Sequence, residues 1–239
     1  MTWYKNWFDS EYYHILYKNR NHNEAKNFIE NLVSKLKLKD HKIIDIACGK
    51  GRHANFLNTL GFNVVGIDLS ENSISHAKKF ENKNLKFFVH DMREVFSNNT
   101  FDIATNLFTS FGYFKNIKDE QKTILAIRNN LKKDGLLIFD FLNSKKTIAN
   151  LVKKEHLEIN NINFRINRSV IDNFIIKDIE IIDNGKTYNF QEKVHALDLY
   201  NFTELFEENE MKILQVFGNY NLEKFDALTS DRLILIVQK

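Results

Sequence analysis

The chain has 239 residues, 43% hydrophobic and 27% charged, with a formal net charge of +3, so it can bury a substantial core as one α/β domain with an elaboration. Its bases are interspersed with acids rather than gathered in a block, which argues against a nucleic-acid-binding surface. No apolar run approaches the roughly twenty residues of a membrane span, and the N-terminus lacks a signal-peptide core, so the expectation is a cytoplasmic protein with no membrane partner.

Residues 1–40 carry two helical patterns. Tyr13, Leu16, Tyr17 and Arg20 share an aromatic and polar face of the first. Ala25, Phe28, Ile29, Leu32, Val33 and Leu36 form the core-facing stripe of the second. The segment Lys42 to Ile46 is an apolar run containing a carboxylate, Asp45, and it leads into Ala47-Cys48-Gly49-Lys50-Gly51. A helix-compatible stretch from Arg52 to Leu60 follows, so the reading is strand, tight loop, helix. Gly49 and Gly51 lack the Cβ that would keep a ligand off the backbone. About twenty residues on, a second apolar run, Phe62 to Ile67, ends in Asp68, where a carboxylate can accept both hydroxyls of a ribose. Together these describe a pocket for a nucleoside-bearing cofactor. A third run, Leu85 to Val89, precedes His90-Asp91-Met92-Arg93, in which Asp91 either meets a ligand or caps the following turn. Phe101 to Phe108 reads as a fourth strand, and the helix face of Ile124, Ile127 and Leu131 leads through Asp134-Gly135 to a fifth, ending near Asp140. This alternation implies a mainly parallel sheet covered on both faces.

After Lys154 the texture changes. Residues 155–197 are rich in Ile, Phe, Val and Tyr with frequent alternation, and Asn184-Gly185 signals a two-residue hairpin turn. An antiparallel insert of three or four strands is expected. Asn201 with Glu204 then looks like a capping box opening a helix that buries Phe202, Leu205 and Phe206. Two strands close the chain, around Ile213 to Phe217 and Leu233 to Val237. The organisation expected is helices over 1–40, a cofactor-binding core over 41–154, the β insert over 155–198 and the end of the core over 199–239.

Asp45 in the first strand, where dinucleotide enzymes usually have an apolar residue, resembles motif I of the class I S-adenosylmethionine-dependent methyltransferases. The resemblance runs from about Asp40 to Phe141, through Asp68, Asp91, Phe101-Asp102 and the fifth-strand region. It resumes in the closing strand pair, which resembles the sixth and seventh strands of that family. It implies a Rossmann-like seven-stranded, mainly parallel sheet with an antiparallel last strand, an N-terminal helical lid and an inserted antiparallel sheet after the fifth strand. It also implies S-adenosyl-L-methionine as cofactor. On the family pattern, Ala47, Cys48, Gly49 and Gly51 approach the methionine and ribose parts, and Asp45 organises the loop or meets the amino group. Asp68 and the adjoining Leu69 take the ribose, Asp91 the adenine amine and Met92 its ring, with Asn106 and Leu107 under the methionyl tail. Arg52 either reaches the carboxylate or is solvated. Cys48, the single cysteine, reads as a small loop residue rather than a nucleophile, and no cluster has metal-ligand spacing.

On the acceptor side, Phe108, Phe111 and Tyr113 follow the fourth strand, where they either line the acceptor site or pack on the core. Tyr13 and Tyr17, candidate catalytic groups, either face the cationic methyl or pack their helix. Arg168 is a substrate contact or part of a solvated sheet face, and His195 is a candidate base. The insert and N-terminal helices resemble the small-molecule branch, which methylates glycine or deoxysugar amines. The expected function is therefore methylation of a small-molecule amine or hydroxyl, nitrogen ahead, by a monomer or homodimer. The alternatives are a tRNA or protein methyltransferase, a nonenzymatic S-adenosylmethionine-binding protein, and a nicotinamide dehydrogenase, the last disfavoured by Asp45 and the closing strand pair.

Overall fold

A computed structural model describes residues 3–18 and 22–239. Arg20, expected on the face of the first helix, lies outside the described residues. Where one helix was expected there are two short ones, α1 (Trp3–Phe8) and α2 (Glu11–Leu16), the second capped by Ser10, whose hydroxyl accepts the Tyr13 amide. The amphipathic α3 (His22–Leu36) follows and buries Ala25, Phe28, Ile29 and Leu32.

The central sheet contains β1 (Lys42–Ile46), β2 (Asn63–Asp68), β3 (Leu85–Val89), β4 (Phe101–Asn106) and β5 (Leu131–Leu142), with β10 (Lys212–Phe217) and β11 (Arg232–Gln238). Their order is β10-β11-β5-β4-β1-β2-β3. The pairings from β3 to β5 are parallel, whereas β11 runs antiparallel to both β5 and β10. The strand order reverses between β1 and β4, and in open α/β sheets ligands bind at such a point, beyond the carboxyl ends of the strands. Near-continuous apolar strands require cover on both faces. The helices α3, α4 (Arg52–Thr59) and α5 (Glu71–Ala77) pack one face through Phe28, Leu57 and Ile74. The other face is covered by α6 (Ile117–Asn130) and α8 (Leu199–Glu207), through Ile127, Phe202 and Phe206. The short α7 (Ser144–Ala149) follows β5.

Between α7 and α8 stands the insert, a four-stranded antiparallel sheet of β6 (Lys154–Ile159), β7 (Ile162–Ile171), β8 (Phe174–Asp183) and β9 (Lys186–His195). Three two-residue turns join them, at Asn160-Asn161, Asp172-Asn173 and Asn184-Gly185, all six residues having positive φ. Such mirror-image turns match the twist of paired strands, and Asn and Asp tolerate the conformation almost as glycine does. One apolar face of this sheet, with Phe164, Ile166, Ile179 and Ile181, receives Trp7 and Tyr12 from the N-terminal helices. The Trp7 indole donates to Glu192 at 2.7 Å and the Tyr12 hydroxyl to Asp183 at 3.0 Å.

Helix α8 opens three residues earlier than the Asn201/Glu204 reading, at Asp198, whose carboxylate accepts the Asn201 amide while the Asn201 side chain accepts that of Asp198. Asp198 caps because its carboxylate accepts the first-turn amide at the positive end of the helix dipole, and it also pairs with Lys145 at 3.0 Å.

Candidate cofactor and acceptor site

The chain leaves β1 through a loop held in unusual backbone geometry. Ala47, Gly49 and Gly51 all have positive φ, at 58°, 54° and 78°. The turn closes through the Gly51 amide on the Cys48 carbonyl, and the Cys48 amide ties it to Ile67 on β2, both at 3.0 Å. Gly51 is irreplaceable on two grounds: its φ is left-handed, and a Cβ there would come within 2.6 Å of the buried Phe87 ring. The Cys48 thiol is buried and its pKa is pushed well up, by burial and then by Asp45 and Asp68 nearby, so it is held as an inert thiol.

Asp68, at the tip of β2, fastens this loop. Its carboxylate accepts the amide of Gly49 on one oxygen and that of Ser70 on the other, each at 2.8 Å. Burial pushes its pKa up, opposed by those two amides. An ionised carboxylate has about four acceptor positions, so two backbone bonds leave capacity for a ligand's hydroxyls. Ser70 caps α5 by accepting the Ser73 amide, and it donates to Asp9 in the segment between α1 and α2. Asp91, after β3, is held by Arg93 through both carboxylate oxygens, at 3.0 Å and 2.6 Å. Burial raises the Asp91 pKa, but the Arg93 hydrogen bonds outweigh it and keep the carboxyl below its ordinary value.

These residues open onto one cavity of about 530 Å³, within the usual range for small-molecule sites. Ala47, Cys48, Gly49, Gly51, Arg52, Asp68, Leu69, Asp91, Met92 and Leu107 all line it. A second wall is aromatic. Phe8 meets Tyr13 and Tyr113 at ring separations of 5.1 and 5.2 Å, and Tyr13 meets Tyr17 at 4.9 Å. Tyr17 is tethered to the insert: its hydroxyl donates to Glu192 at 2.7 Å and receives Lys177 Nζ at 2.6 Å. Phe108 lines the cavity between the Arg52 guanidinium, 4.9 Å from its ring centroid, and the His53 ring at 4.8 Å.

Five expected site residues do not line this cavity. Asp45 is buried inside the sheet, accepting the Thr105 hydroxyl at 2.7 Å, with its other oxygen unpartnered and its pKa raised by burial to about 7. Asn106 is fully buried, its amide donating to the Ile46 carbonyl at 3.1 Å and strapping β4 to β1, while its Oδ1 has no partner. Phe111 packs in the core against Phe139 and Phe202. Arg168 is paired with Glu155 on the insert. His195 is paired with Glu120 at 3.1 Å and stacked on Phe174, because β9 carries it to the α6 side of the molecule.

Conversely, the cavity takes in residues the sequence reading did not single out as ligands, among them Tyr4, Phe8, His14, His53 and Ser70. His53 is the most distinctive. It is buried, its Nε2 has no partner, and burial lowers its pKa to about 3. A histidine in the first helical turn after a glycine loop was visible in the sequence; its burial was not.

The order of the strands, the glycine loop and the two carboxylates at successive strand tips define the fold of S-adenosylmethionine-dependent methyltransferases. The family described as methyltransferase domain matches residues 37–209, and the chain belongs to it. A Geobacillus sp. (strain WCH70) protein assigned as a methyltransferase is 37% identical over 102 residues, which are 41% of each chain. The glycine/sarcosine N-methyltransferase of Aphanothece halophytica is 31% identical over 147 residues, 57% of this chain and 52% of that one. The chain thus spans about half the length, or less, of these curated relatives. The crystal structure of a S-adenosylmethionine-dependent methyltransferase from Clostridium acetobutylicum ATCC 824 superposes with a TM-score of 0.80 at 21% identity, covering 95% of both chains. CalS10, an amino pentose methyltransferase from Micromonospora echinaspora solved with S-adenosylmethionine bound, gives a TM-score of 0.71 at 16% identity, covering 96% of this chain and 98% of that one. Among the described residues no helix is long and apolar enough to cross a membrane.

Proposed function

We propose that this chain methylates a small-molecule amine, or in second place a hydroxyl, using S-adenosyl-L-methionine. The cofactor, when bound, supplies an already activated methyl group. Residues Ala47 to Gly51 would hold it by backbone approach, Asp68 by its remaining acceptor positions and Asp91 and Met92 at the base. The task left to the protein is alignment and, for a protonated nucleophile, a base.

The observation that carries the choice of nitrogen is the chemistry of the lining. Among the described lining residues the only carboxylates are Asp68 and Asp91, each already engaged by backbone or Arg93. Of the four histidines among the described lining residues, burial lowers the pKa of His14, His53 and His76, to about 3 for His53, which makes each a weaker proton acceptor, and His90 Nε2 is engaged with the Glu94 carbonyl at 3.0 Å. A hydroxyl acceptor needs a base to take its proton, whereas a neutral amine attacks with its own lone pair. The rings of Phe8, Tyr13, Tyr17 and Tyr113 suit the cationic nitrogen that results. The Aphanothece relative's name, a glycine/sarcosine N-methyltransferase, and CalS10's, an amino pentose methyltransferase, support the same reading.

The test is a panel of amines and matched hydroxyl compounds, followed by release of S-adenosylhomocysteine. Turnover confined to amines is expected. Turnover of hydroxyl compounds alone would reverse the preference for nitrogen, and binding of NAD without S-adenosylhomocysteine would remove the methyltransferase reading.

A further inference from the structure

Beyond β4 the chain turns through Leu107, Phe108, Thr109 and Ser110, all facing the cavity. Phe108 and Thr109 both lie in the left-handed region, at φ 59°. For residues with a Cβ that conformation is unfavourable, and two in succession persist only where the surroundings over-determine them. The surroundings here come from remote parts of the chain. Asp140, fully buried on β5, accepts the Phe108 amide on Oδ2 at 2.8 Å, and its own carbonyl accepts the Thr109 amide at 3.0 Å. Arg232, at the start of β11, donates from Nε to Asp140 Oδ1 at 2.8 Å and from Nη2 to the Thr109 hydroxyl at 2.9 Å. Tyr220 donates its hydroxyl to Asp140 Oδ2 at 3.2 Å and stacks on the Phe108 ring at 5.1 Å.

A buried ion pair adds little net stability, since desolvation offsets its attraction and an apolar pair of similar volume serves as well. What an apolar pair cannot do is hold the Phe108 amide and the Thr109 hydroxyl in fixed directions, whereas the Thr109 amide bonds a main-chain carbonyl that any residue at position 140 would supply. We infer that Asp140, Arg232 and Tyr220 are positioning residues, clamping Phe108 and Thr109 in the strained turn that shapes the acceptor side of the methyl-transfer site. The inference rests on the function proposed above for the role of that turn. Released from the clamp, Phe108 relaxes toward extended backbone and its ring leaves Arg52 and His53, so acceptor alignment is lost while the Asp68 and Asp91 contacts persist.

Four variants test this: Tyr220→Phe, Arg232→Lys, Arg232→Gln and the charge-neutralised pair Asp140→Asn with Arg232→Gln, which keeps the clamp testable should a buried lone charge prevent folding. Hydrogen exchange over residues 107–114 is compared with exchange over 63–68. The expected result is acceleration of about tenfold or more confined to 107–114, smaller in Arg232→Lys than in Arg232→Gln. With an acceptor found in the amine panel, kcat/KM for that acceptor should fall by about tenfold or more, while S-adenosylhomocysteine affinity changes less than about threefold. Equal acceleration of both segments, or unchanged exchange at 107–114 in the paired variant, would overturn the clamp. Failure of the unmodified protein to bind S-adenosylhomocysteine would instead remove the methyl-transfer reading, because the exchange comparison needs no cofactor.

Discussion

Asp68 is the residue on which loop geometry and cofactor binding are most tightly coupled, and replacing it separates the two. Its carboxylate holds the Gly49 and Ser70 amides at 2.8 Å each. A hydrogen bond to a charged group contributes about 1.5–3 kcal/mol, less where water can take over, so Asp68→Ala should cost about 2–4 kcal/mol of stability. Asp68→Asn keeps an acceptor for one amide and turns a donor toward the other, so its cost should be about half as large. A ribose hydroxyl bonded to the carboxylate contributes on the same scale. Both variants should therefore bind S-adenosylhomocysteine roughly ten- to a hundredfold more weakly, by the conversion of about 1.4 kcal/mol per tenfold. Urea unfolding of the free protein measures the first quantity and titration calorimetry the second. If Asp68 only fastened the loop, affinity would follow stability and Asp68→Asn would be the milder variant in both assays. An Asp68→Asn protein that binds within about twofold of the unmodified chain would refute the ribose role.

Three further outcomes are expected. Gly51→Ala combines a left-handed φ with a Cβ at 2.6 Å from Phe87, so it should destabilise by roughly 2 kcal/mol or more and abolish cofactor binding; a normal melting temperature would contradict the loop geometry. Asp45 and His53 should impose opposite pH dependences. Asp45, raised from 3.8 to about 7, makes the folded state hold a proton that the unfolded chain has lost, so its contribution to stability falls as pH rises from about 4 to 7. His53, lowered from 6.5 to about 3, makes the folded state lose stability as pH falls from 6.5 toward 3. Relative to the unmodified protein, Asp45→Asn should therefore steepen the rise of stability with pH between 4 and 6.5 and His53→Gln should reverse its sign, measured by urea titrations across that window; parallel profiles would refute both assignments. Finally, the Asp9–Ser70 contact and the Tyr17 tether lie over the cavity, so exchange across residues 9–18 should slow when S-adenosylhomocysteine binds, and unchanged protection would leave these helices as fixed packing elements.

Much of the architecture was legible in the residue pattern because it rests on local rules. Apolar runs ending in Asp68 or leading into Gly49 and Gly51 specify strand, loop and helix through hydrophobic periodicity and glycine's freedom, and Asn184-Gly185 specified a hairpin. The two companion turns, Asn160-Asn161 and Asp172-Asn173, were equally local but lacked the glycine that draws attention to such sites. Asn106 and Asp45 show where local reading stops. The family pattern puts Asn106 under the methionyl tail and leaves Asp45 either organising the loop or meeting the amino group, yet whether a strand residue faces a cavity or the neighbouring strand depends on pairing with Ile46 or Thr105, some sixty positions away. His195 and Arg168 were likewise claimed by Glu120 and Glu155, and Phe111 by the core.

The sequence by itself determined the order of elements, the glycine loop and the two carboxylates at the strand tips, because backbone conformation and amphipathic period are set within a few residues. Tertiary structure alone decided that the N-terminal helices would dock on the insert through Trp7 and Tyr12, that His53 would be buried, and that Arg232 and Tyr220 would reach the turn after β4. Those outcomes depend on which distant groups satisfy a buried charge or hydrogen bond, and that is settled only when the whole chain has packed.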